Sequence, residues 1–231
     1  MDKVKIIQVK KSILEDNDQD ANKLREELNQ DETIYINVMS SPGSGKTSII
    51  LKTIEYLHNK IHIGVMEADI DSDVDARTMQ EHGIKTIQVH TGGMCHLDAE
   101  MSRQGLNELA TDDLDVVILE NVGNLVCPAE FDTGAHVNVV VLSVPEGDDK
   151  PLKYPLIFEK CDAVLINKID AMPIFDFDMK RVKEHILKRN PKAAIFPVSA
   201  TSGEGVKMWC DWILNQMCQT DRRDRPSDQE V

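Results

Sequence analysis

Residues 40–47, with the sequence SSPGSGKT, have the composition and spacing of a phosphate-binding loop. Gly43 and Gly45 let backbone N–H groups converge on phosphate oxygens, and the following helix adds its positive end. We expect Lys46 to reach the β- and γ-phosphates of a nucleotide, and the Thr47 hydroxyl to bind Mg²⁺. The usual pattern begins with Gly rather than Ser40, a mild departure because the close approaches fall on Gly43 and Gly45. The predicted phosphate-binding residues are Gly43, Ser44, Gly45, Lys46, Thr47 and Ser48.

A second motif, Asn167-Lys168-Ile169-Asp170, predicts recognition of guanine. The Asp170 carboxylate can accept hydrogen bonds from N1–H and from the exocyclic amine of guanine, which adenine does not present there. An ATP complex would leave this carboxylate desolvated and unpaired, at a cost on the order of 2–5 kcal/mol. The Lys168 stem can cover the base, and Ser199 and Ala200, after a later strand, are expected to offer backbone groups to the guanine oxygen. The motif alone is a weak match, but downstream of a phosphate loop it predicts GTP rather than ATP.

Acidic residues follow two of the predicted strands and are candidates for the Mg²⁺ shell. Glu120 ends the strand 116–119, and Gly123 beyond it is placed to sense the γ-phosphate. A further acidic cluster follows the second strand at positions 69, 71, 73 and 75, some of it a solvated loop. Within this cluster we favour Asp69 and Asp75 as facing the metal or the attacking water. The predicted catalytic residues are Lys46, Asp75 and Glu120.

No glutamine follows Gly123 to orient a water molecule, because position 124 is Asn. We therefore expect slow intrinsic GTP hydrolysis, as in a molecular timer.

Two cysteines and a histidine form a candidate site for a soft or borderline metal. Cys95 and His96 follow the third predicted strand, and Cys127 lies only four residues beyond Gly123. Thiolates and imidazole suit Zn²⁺ or Ni²⁺, but the spacing is not that of a zinc finger and three ligands leave the site incomplete. A structural cysteine, a buried histidine and a capped loop remain the alternative. If Cys127 does bind metal, exchange of GTP for GDP must move a ligand.

The elements that must position these residues follow from the pattern of apolar runs. From residue 33 onward, short runs of consecutive apolar residues are separated by segments with helical periodicity. Runs without polar alternation are typical of strands that are buried on both faces of a parallel sheet. The predicted fold is α/β, a mostly parallel central sheet with helices on both faces, preceded by an N-terminal helix. We expect a helical extension at 1–32, a GTPase domain at 33–218 and a disordered tail at 219–231. The N-terminal helix either packs on its own domain or serves as a docking element.

Composition and charge exclude several functional classes of protein. A net charge of −14 argues against nucleic-acid binding, and no apolar run approaches the roughly 18 residues of a membrane span. Five cysteines in no disulfide-like array indicate reduced thiols, and we expect a cytoplasmic protein.

Taken together, the phosphate loop, GGMCHLDA at 92–99, ENVGNLVCP at 120–128 and NKID at 167–170 resemble the HypB family. These are GTPases that help insert nickel into [NiFe]-hydrogenase. The resemblance runs from about Thr33 to Met217 and implies a P-loop fold of the signal-recognition and MinD-like class, with GTP-dependent homodimerisation. It also implies a metal site shared by both subunits, built from Cys95, His96 and Cys127 of each, and Lys153 reaching the nucleotide across the dimer. Hydrogenase maturation chaperones and the hydrogenase large-subunit precursor are the implied partners.

One departure from the family concerns the N-terminus. Some members carry a CxxCGC nickel site there and others a His-rich storage tract, whereas residues 1–32 contain neither Cys nor His. We therefore expect no separate nickel site or storage role in this segment. Two other functions stay open: a metal carrier in which GTP is only structural, and a GTPase that serves another nickel enzyme such as urease.

Overall fold

The computed structural model describes residues 9–69 and 74–223, with side chains from 13 to 68 and from 77 to 218. Its strands are β1 (Ile34–Ser40), β2 (Ile63–Asp69), β3 (Lys85–His90), β4 (Val116–Gly123), β5 (Val137–Ser143), β6 (Ala163–Asn167) and β7 (Ala194–Pro197). Its helices are α1 (Val9–Gln30), α2 (Lys46–Leu57), α3 (Val74–Glu81), α4 (Ala99–Leu109), α5 (Cys127–Glu130), α6 (Lys150–Lys153), α7 (Pro155–Lys160), α8 (Met179–Arg189) and α9 (Val206–Arg223). The segments 1–8, 70–73 and 224–231 lie outside the described residues.

The seven strands of the described chain form one parallel sheet in the order β3-β2-β4-β1-β5-β6-β7, which confirms the predicted fold class. Strand β1 is central, and its side chains alternate between two buried faces. Ile36 and Val38 point to the layer of α2, α3 and α9, whereas Tyr35 and Met39 point to the opposite layer. Because both faces are covered, the strands are apolar throughout, as the unalternating runs predicted.

Helix α1 is packed on its own domain. Ala21, Leu24 and Leu28 are buried, and Leu24 and Leu28 join the core formed with α4 and the sheet. Ile13 near the start of the described side chains is 52% exposed. The helix therefore lies within the predicted 1–32 extension, but its second half belongs to the core of the domain.

The differences from the sequence prediction lie at element ends and at prolines. The short helices α5, α6 and α7 were not predicted, and each carries a proline in its first turn, at Pro128, Pro151 and Pro155. Proline is favourable there because its fixed φ suits a helix and its missing N–H would have no partner. Helix α9 continues to Arg223, past position 218 at which the sequence analysis ends the domain. Among the described residues, no helix is long and apolar enough to cross a membrane.

Candidate nucleotide and metal site

The phosphate loop connects β1 to α2 at the carboxyl edge of the sheet, where ligands of open α/β folds bind. Gly43 and Gly45 adopt φ values of +74° and +97°, which L side chains rarely adopt. A Cβ on Gly45 would lie 2.5 Å from Asn167 Nδ2. Lys46 Nζ donates to Ser40 Oγ at 3.1 Å, and the hydroxyl of Ser44 is buried with no hydrogen-bond partner. The loop thus holds an ammonium group and a buried hydroxyl that fit a phosphate ligand.

The NKID motif is bonded directly to the phosphate loop. Asn167 Nδ2 donates to the Ser44 carbonyl at 3.0 Å, and its Oδ1 accepts from the Ala200 N–H at 3.2 Å. Lys168 Nζ donates to the Gly43 carbonyl at 2.6 Å. One buried amide therefore joins the phosphate loop to the segment after β7, and the structure brings these three predicted pieces together.

The base-recognition residues lie around this junction. Asp170 is exposed in the 3₁₀ turn Ile169–Ala171, directly after β6. Ser199 is buried, and its Oγ accepts from the Ser202 N–H at 3.1 Å. The Asp170 carboxylate is therefore accessible to a base. The backbone N–H groups of Ser199 and Ala200, which were predicted to contact the guanine oxygen, donate here to the Glu204 carbonyl at 2.9 Å and to Asn167 Oδ1.

Hydroxyl and carboxylate oxygens meet at the ends of α2, β2 and β4. Thr47 Oγ1 donates to Glu120 Oε1 at 2.7 Å, and this pair of hard oxygen donors fits Mg²⁺. Glu67 is paired in register with Glu120 on the neighbouring strand, and both are buried. Glu67 was not among the predicted site residues; it ends the second predicted strand, at 61–67, whereas β2 continues to Asp69. The side chains of Asp69 and Asp75, which it favoured, lie outside the described residues.

The carboxyl end of β4 touches the phosphate loop. A Cβ on Gly123 would stand 3.0 Å from Pro42 Cγ and 3.2 Å from the Pro42 backbone. Only glycine allows this approach without displacing the loop. The chain then turns at Asn124, whose Oδ1 accepts from the Val126 N–H at 2.8 Å, and reaches α5 at Cys127.

The two predicted cysteine ligands are brought together from separate loops. Cys95 Sγ and Cys127 Sγ lie 2.6 Å apart, and both thiols are free. Their hydrogen bond raises the pKa of Cys95. Two thiolates on one tetrahedral Zn²⁺, each about 2.3 Å from the ion, stand about 3.8 Å apart, so a small rotation would let them share an ion.

His96 lies beside this pair. Its Nδ1 is 4.0 Å from Cys95 Sγ, and its ring stacks on Phe131 with centroids 3.7 Å apart. Burial lowers the pKa of His96, against the opposing charges of Asp98 and Glu130, which favours the neutral imidazole that binds metals. Phe131 is a residue that the sequence analysis missed, since nothing in the sequence indicates its contact with His96.

The donor set of one subunit is soft but incomplete. Within the described residues, no three His, Cys, Asp or Glu side chains are grouped closely enough to hold a metal ion. The remaining cysteines are elsewhere: burial raises the pKa of Cys161 and of Cys210 to about 12, and Cys218 is exposed on α9. Cys95 and Cys127 fit a soft or borderline metal, and further ligands are needed to complete its shell.

Lys153 lies apart from these groups. It is exposed on α6 and forms an ion pair with Asp149 at 2.5 Å rather than with the phosphate loop. The hydrogen bond to Asp149 raises the pKa of Lys153.

Comparison with known proteins supplies the family. Residues 34–197 match the family model described as "CobW/HypB/UreG, nucleotide-binding domain". Hydrogenase maturation factor HypB of Rhizobium leguminosarum bv. viciae is 43% identical over 92% of this chain and 71% of its own. Hydrogenase/urease maturation factor HypB of Helicobacter hepaticus is 40% identical over 93% of this chain and 90% of its own.

Solved structures agree. The crystal structure of HypB from Helicobacter pylori in complex with nickel has a TM-score of 0.84 and 36% identity, covering 94% of this chain and all of that one. The crystal structure of HypB from Archaeoglobus fulgidus has a TM-score of 0.82 and 38% sequence identity, covering 88% of this chain and 100% of that one. Signal Recognition Particle 54 kDa protein of Aeropyrum pernix has a TM-score of 0.56 and 13% sequence identity, covering 96% of this chain and 57% of its own. At this identity the likeness shows a shared fold alone.

The close approach of Gly45 to Asn167 generates a test of the nucleotide site. We expect Gly45→Ala to weaken guanine-nucleotide binding by at least about tenfold, because the new Cβ is both strained and in contact with Asn167. Gly83→Ala is the matched control, since Gly83 has a φ of +73° and open space around its Cβ. Affinity measured with a fluorescent GDP should be unchanged in the control. Equal affinities for both variants would contradict the assigned role of Gly45.

Proposed function

The chain belongs to the CobW/HypB/UreG family and, within it, to the HypB hydrogenase maturation factors, and on that premise we propose that it is a GTP-hydrolysing metallochaperone. It binds nickel or zinc at a GTP-dependent dimer interface and assists nickel insertion into [NiFe]-hydrogenase. The observation that carries the proposal is the course of the chain after β4. Gly123 touches the phosphate loop, and four residues later Cys127 meets the thiol of Cys95.

In this proposal the nucleotide is GTP with Mg²⁺. Lys46 moves from Ser40 to the phosphates, while Thr47 and Glu120 hold Mg²⁺, directly or through water. Asp170 selects guanine, and Lys168 covers the base. The bonds from Asn167 to Ser44 and Ala200 keep the phosphate and base regions at a fixed separation.

Hydrolysis is proposed to be slow. Lys46, Glu120 and Asp75 are the catalytic residues, with Lys46 stabilising negative charge on the phosphates and the two carboxylates acting on the metal or the water. Asn124 occupies the position after Gly123, and its amide is engaged with the Val126 N–H. Because this amide already caps its own loop, it is poorly placed to orient the attacking water.

The metal site is proposed to be completed by a second subunit. Cys95, His96 and Cys127 provide an incomplete set in one chain, and the same residues of a partner copy would supply the missing donors around Ni²⁺ or Zn²⁺. GTP favours this dimer because Lys153 reaches the partner's nucleotide. The thiols must stay reduced to bind metal, which fits a cytoplasmic protein.

The proposed partner proteins of this chain follow from the names of its relatives. The relatives are named hydrogenase maturation factor and hydrogenase/urease maturation factor, which supports hydrogenase maturation chaperones and the hydrogenase large-subunit precursor as partners. The name of the Helicobacter hepaticus relative also keeps urease open as a second nickel enzyme. The other alternative, a carrier with GTP as a structural cofactor, predicts metal affinity that does not depend on the nucleotide.

Guanine selection by Asp170 is tested by Asp170→Asn. We expect the variant to lose GTP affinity by about a hundredfold or more and to gain affinity for xanthosine triphosphate, because an amide donates to the carbonyl that xanthine carries in place of the amine. Asp176→Asn, an exposed aspartate of the same loop, is the control and should bind GTP as the wild type does. Competition binding measures both. Unchanged GTP affinity in Asp170→Asn would exclude this base contact.

The dimer is tested by Lys153→Ala. We expect dimerisation with a non-hydrolysable GTP analogue to weaken by about tenfold, because the exposed ammonium loses its contact with the partner's nucleotide. Nucleotide affinity of the monomer should stay the same. Sedimentation velocity with the analogue and with GDP measures the dimer, and Lys192→Ala, another exposed lysine, is the control. A wild-type dimer in Lys153→Ala would remove this residue from the interface.

A further inference from the structure

Helix α1 contacts the segments that directly follow both cysteine ligands. The Asn17 Oδ1 accepts from the Ala99 N–H at 2.9 Å, and its Nδ2 donates to the Asp132 carbonyl at 2.9 Å. Ala99 begins α4, three residues after His96, and its N–H is one of those that no carbonyl within α4 can reach. Asp132 follows Phe131, the residue stacked on His96. One side chain therefore bridges the Cys95–His96 loop and the segment that continues from Cys127.

The same segment is tied to α1 at further points. Arg25 forms an ion pair with Asp132, and its Nε donates to the Ala135 carbonyl at 2.9 Å. Gly134 packs against Leu24 so closely that a Cβ there would lie 2.7 Å from Leu24 Cδ2. Because these contacts cover residues 132–135, helix α1 holds the backbone of the segment after α5 in place.

One face of this segment borders an open pocket of about 410 Å³, which is lined among others by Asp18, Asn22, Pro128 and Phe131. Because this face meets the pocket rather than a continuous layer of side chains, the polar bonds from α1 contribute to holding the segment in place.

We propose that Asn17 is a positioning residue for the metal site: through its bridge, α1 holds Cys95, His96 and Cys127 in one arrangement. Groups that hydrogen-bond to metal ligands typically change metal affinity by about 10–100-fold when they are removed, and Asn17 acts in the same way through the backbone that carries the ligands. The inference rests on the proposed metal site, so its test contains one measurement that needs no metal.

The first measurement is metal affinity. In a Cys218→Ser background, which removes the exposed thiol, we expect Asn17→Ala to weaken Ni²⁺ and Zn²⁺ binding in the GDP form by about tenfold or more. Gln19→Ala, an exposed amide on the same helix, should stay within about twofold of the parent protein. Cys127→Ala tests the metal site itself and should lose binding.

The second measurement reports thiol geometry in the metal-free protein. One cysteine thiolate attacks 4,4′-dithiodipyridine, forms a mixed disulfide with the reagent and releases one thiopyridone. The second thiolate then attacks the protein sulfur of this mixed disulfide, which releases a second thiopyridone and leaves a Cys95–Cys127 disulfide. The protein loses two electrons and the reagent gains them. Buried Cys161 and Cys210 react slowly because burial raises their pKa values. We expect Asn17→Ala to slow the second release by about tenfold, since the two loops are no longer held together.

The outcomes separate the two hypotheses. Wild-type metal affinity in Cys127→Ala would overturn the proposed metal site, while the thiol rate would still decide the role of Asn17. An unchanged thiol rate in Asn17→Ala, whatever its metal affinity, would overturn the positioning role. Thermal unfolding checks that the variant is folded. If it is not, Asn17→Asp replaces it, because the carboxylate keeps the bond to Ala99 at the positive end of α4 and loses only the bond to Asp132.

Discussion

The approach of Gly123 to Pro42 is the contact on which the rest of the site depends. It places the end of β4 against the phosphate loop, so closely that a Cβ on Gly123 would stand 3.0 Å from Pro42 Cγ and the loop would have to shift to accept it. A phosphate held by the loop therefore lies next to a backbone that runs on, within four residues, to Cys127. Because Cys127 also meets Cys95, four residues of backbone join the contact at the phosphate loop to the thiol pair, and this is the path that the proposed coupling would use.

The sheet order makes this arrangement possible. Strand β1 lies between β4 and β5, so the loop after β1 has the carboxyl ends of two other strands beside it. Asn167, one strand further, reaches back to the Ser44 carbonyl and fixes the base-recognition motif against the loop. Thr47 and Glu120 meet on the other side. The proposed nucleotide and metal sites thus lie at one edge of the sheet, and Asn17 of α1 bonds to the segments that follow the cysteines.

The parts of the site that are contiguous in sequence could be predicted, and those made by distant contacts could not. The phosphate loop and the NKID motif each carry their chemistry within a few residues, and strands buried on both faces read as apolar runs. The chemistry of Cys95, His96 and Cys127 suggested a shared metal site but left a structural role open, and the family resemblance favoured the metal site. Nothing in the sequence indicated that Phe131 stacks on His96 or that Asn17 bridges two segments. A single aromatic or amide residue is common in helices and loops and does not reveal its distant contacts. Helix α5 was not predicted, although a proline such as Pro128 commonly stands in the first turn of a helix.

The central claim is that the nucleotide state controls the metal site through Cys127. Equilibrium dialysis of Ni²⁺ against the wild type and Cys127→Ala, with GDP and with a non-hydrolysable GTP analogue, tests it most directly. The account predicts that affinity in the wild type differs between the two nucleotides by at least about fivefold, and that Cys127→Ala abolishes the difference. Equal nickel binding by the wild type in both states would contradict the account and leave a carrier whose GTP site serves another purpose.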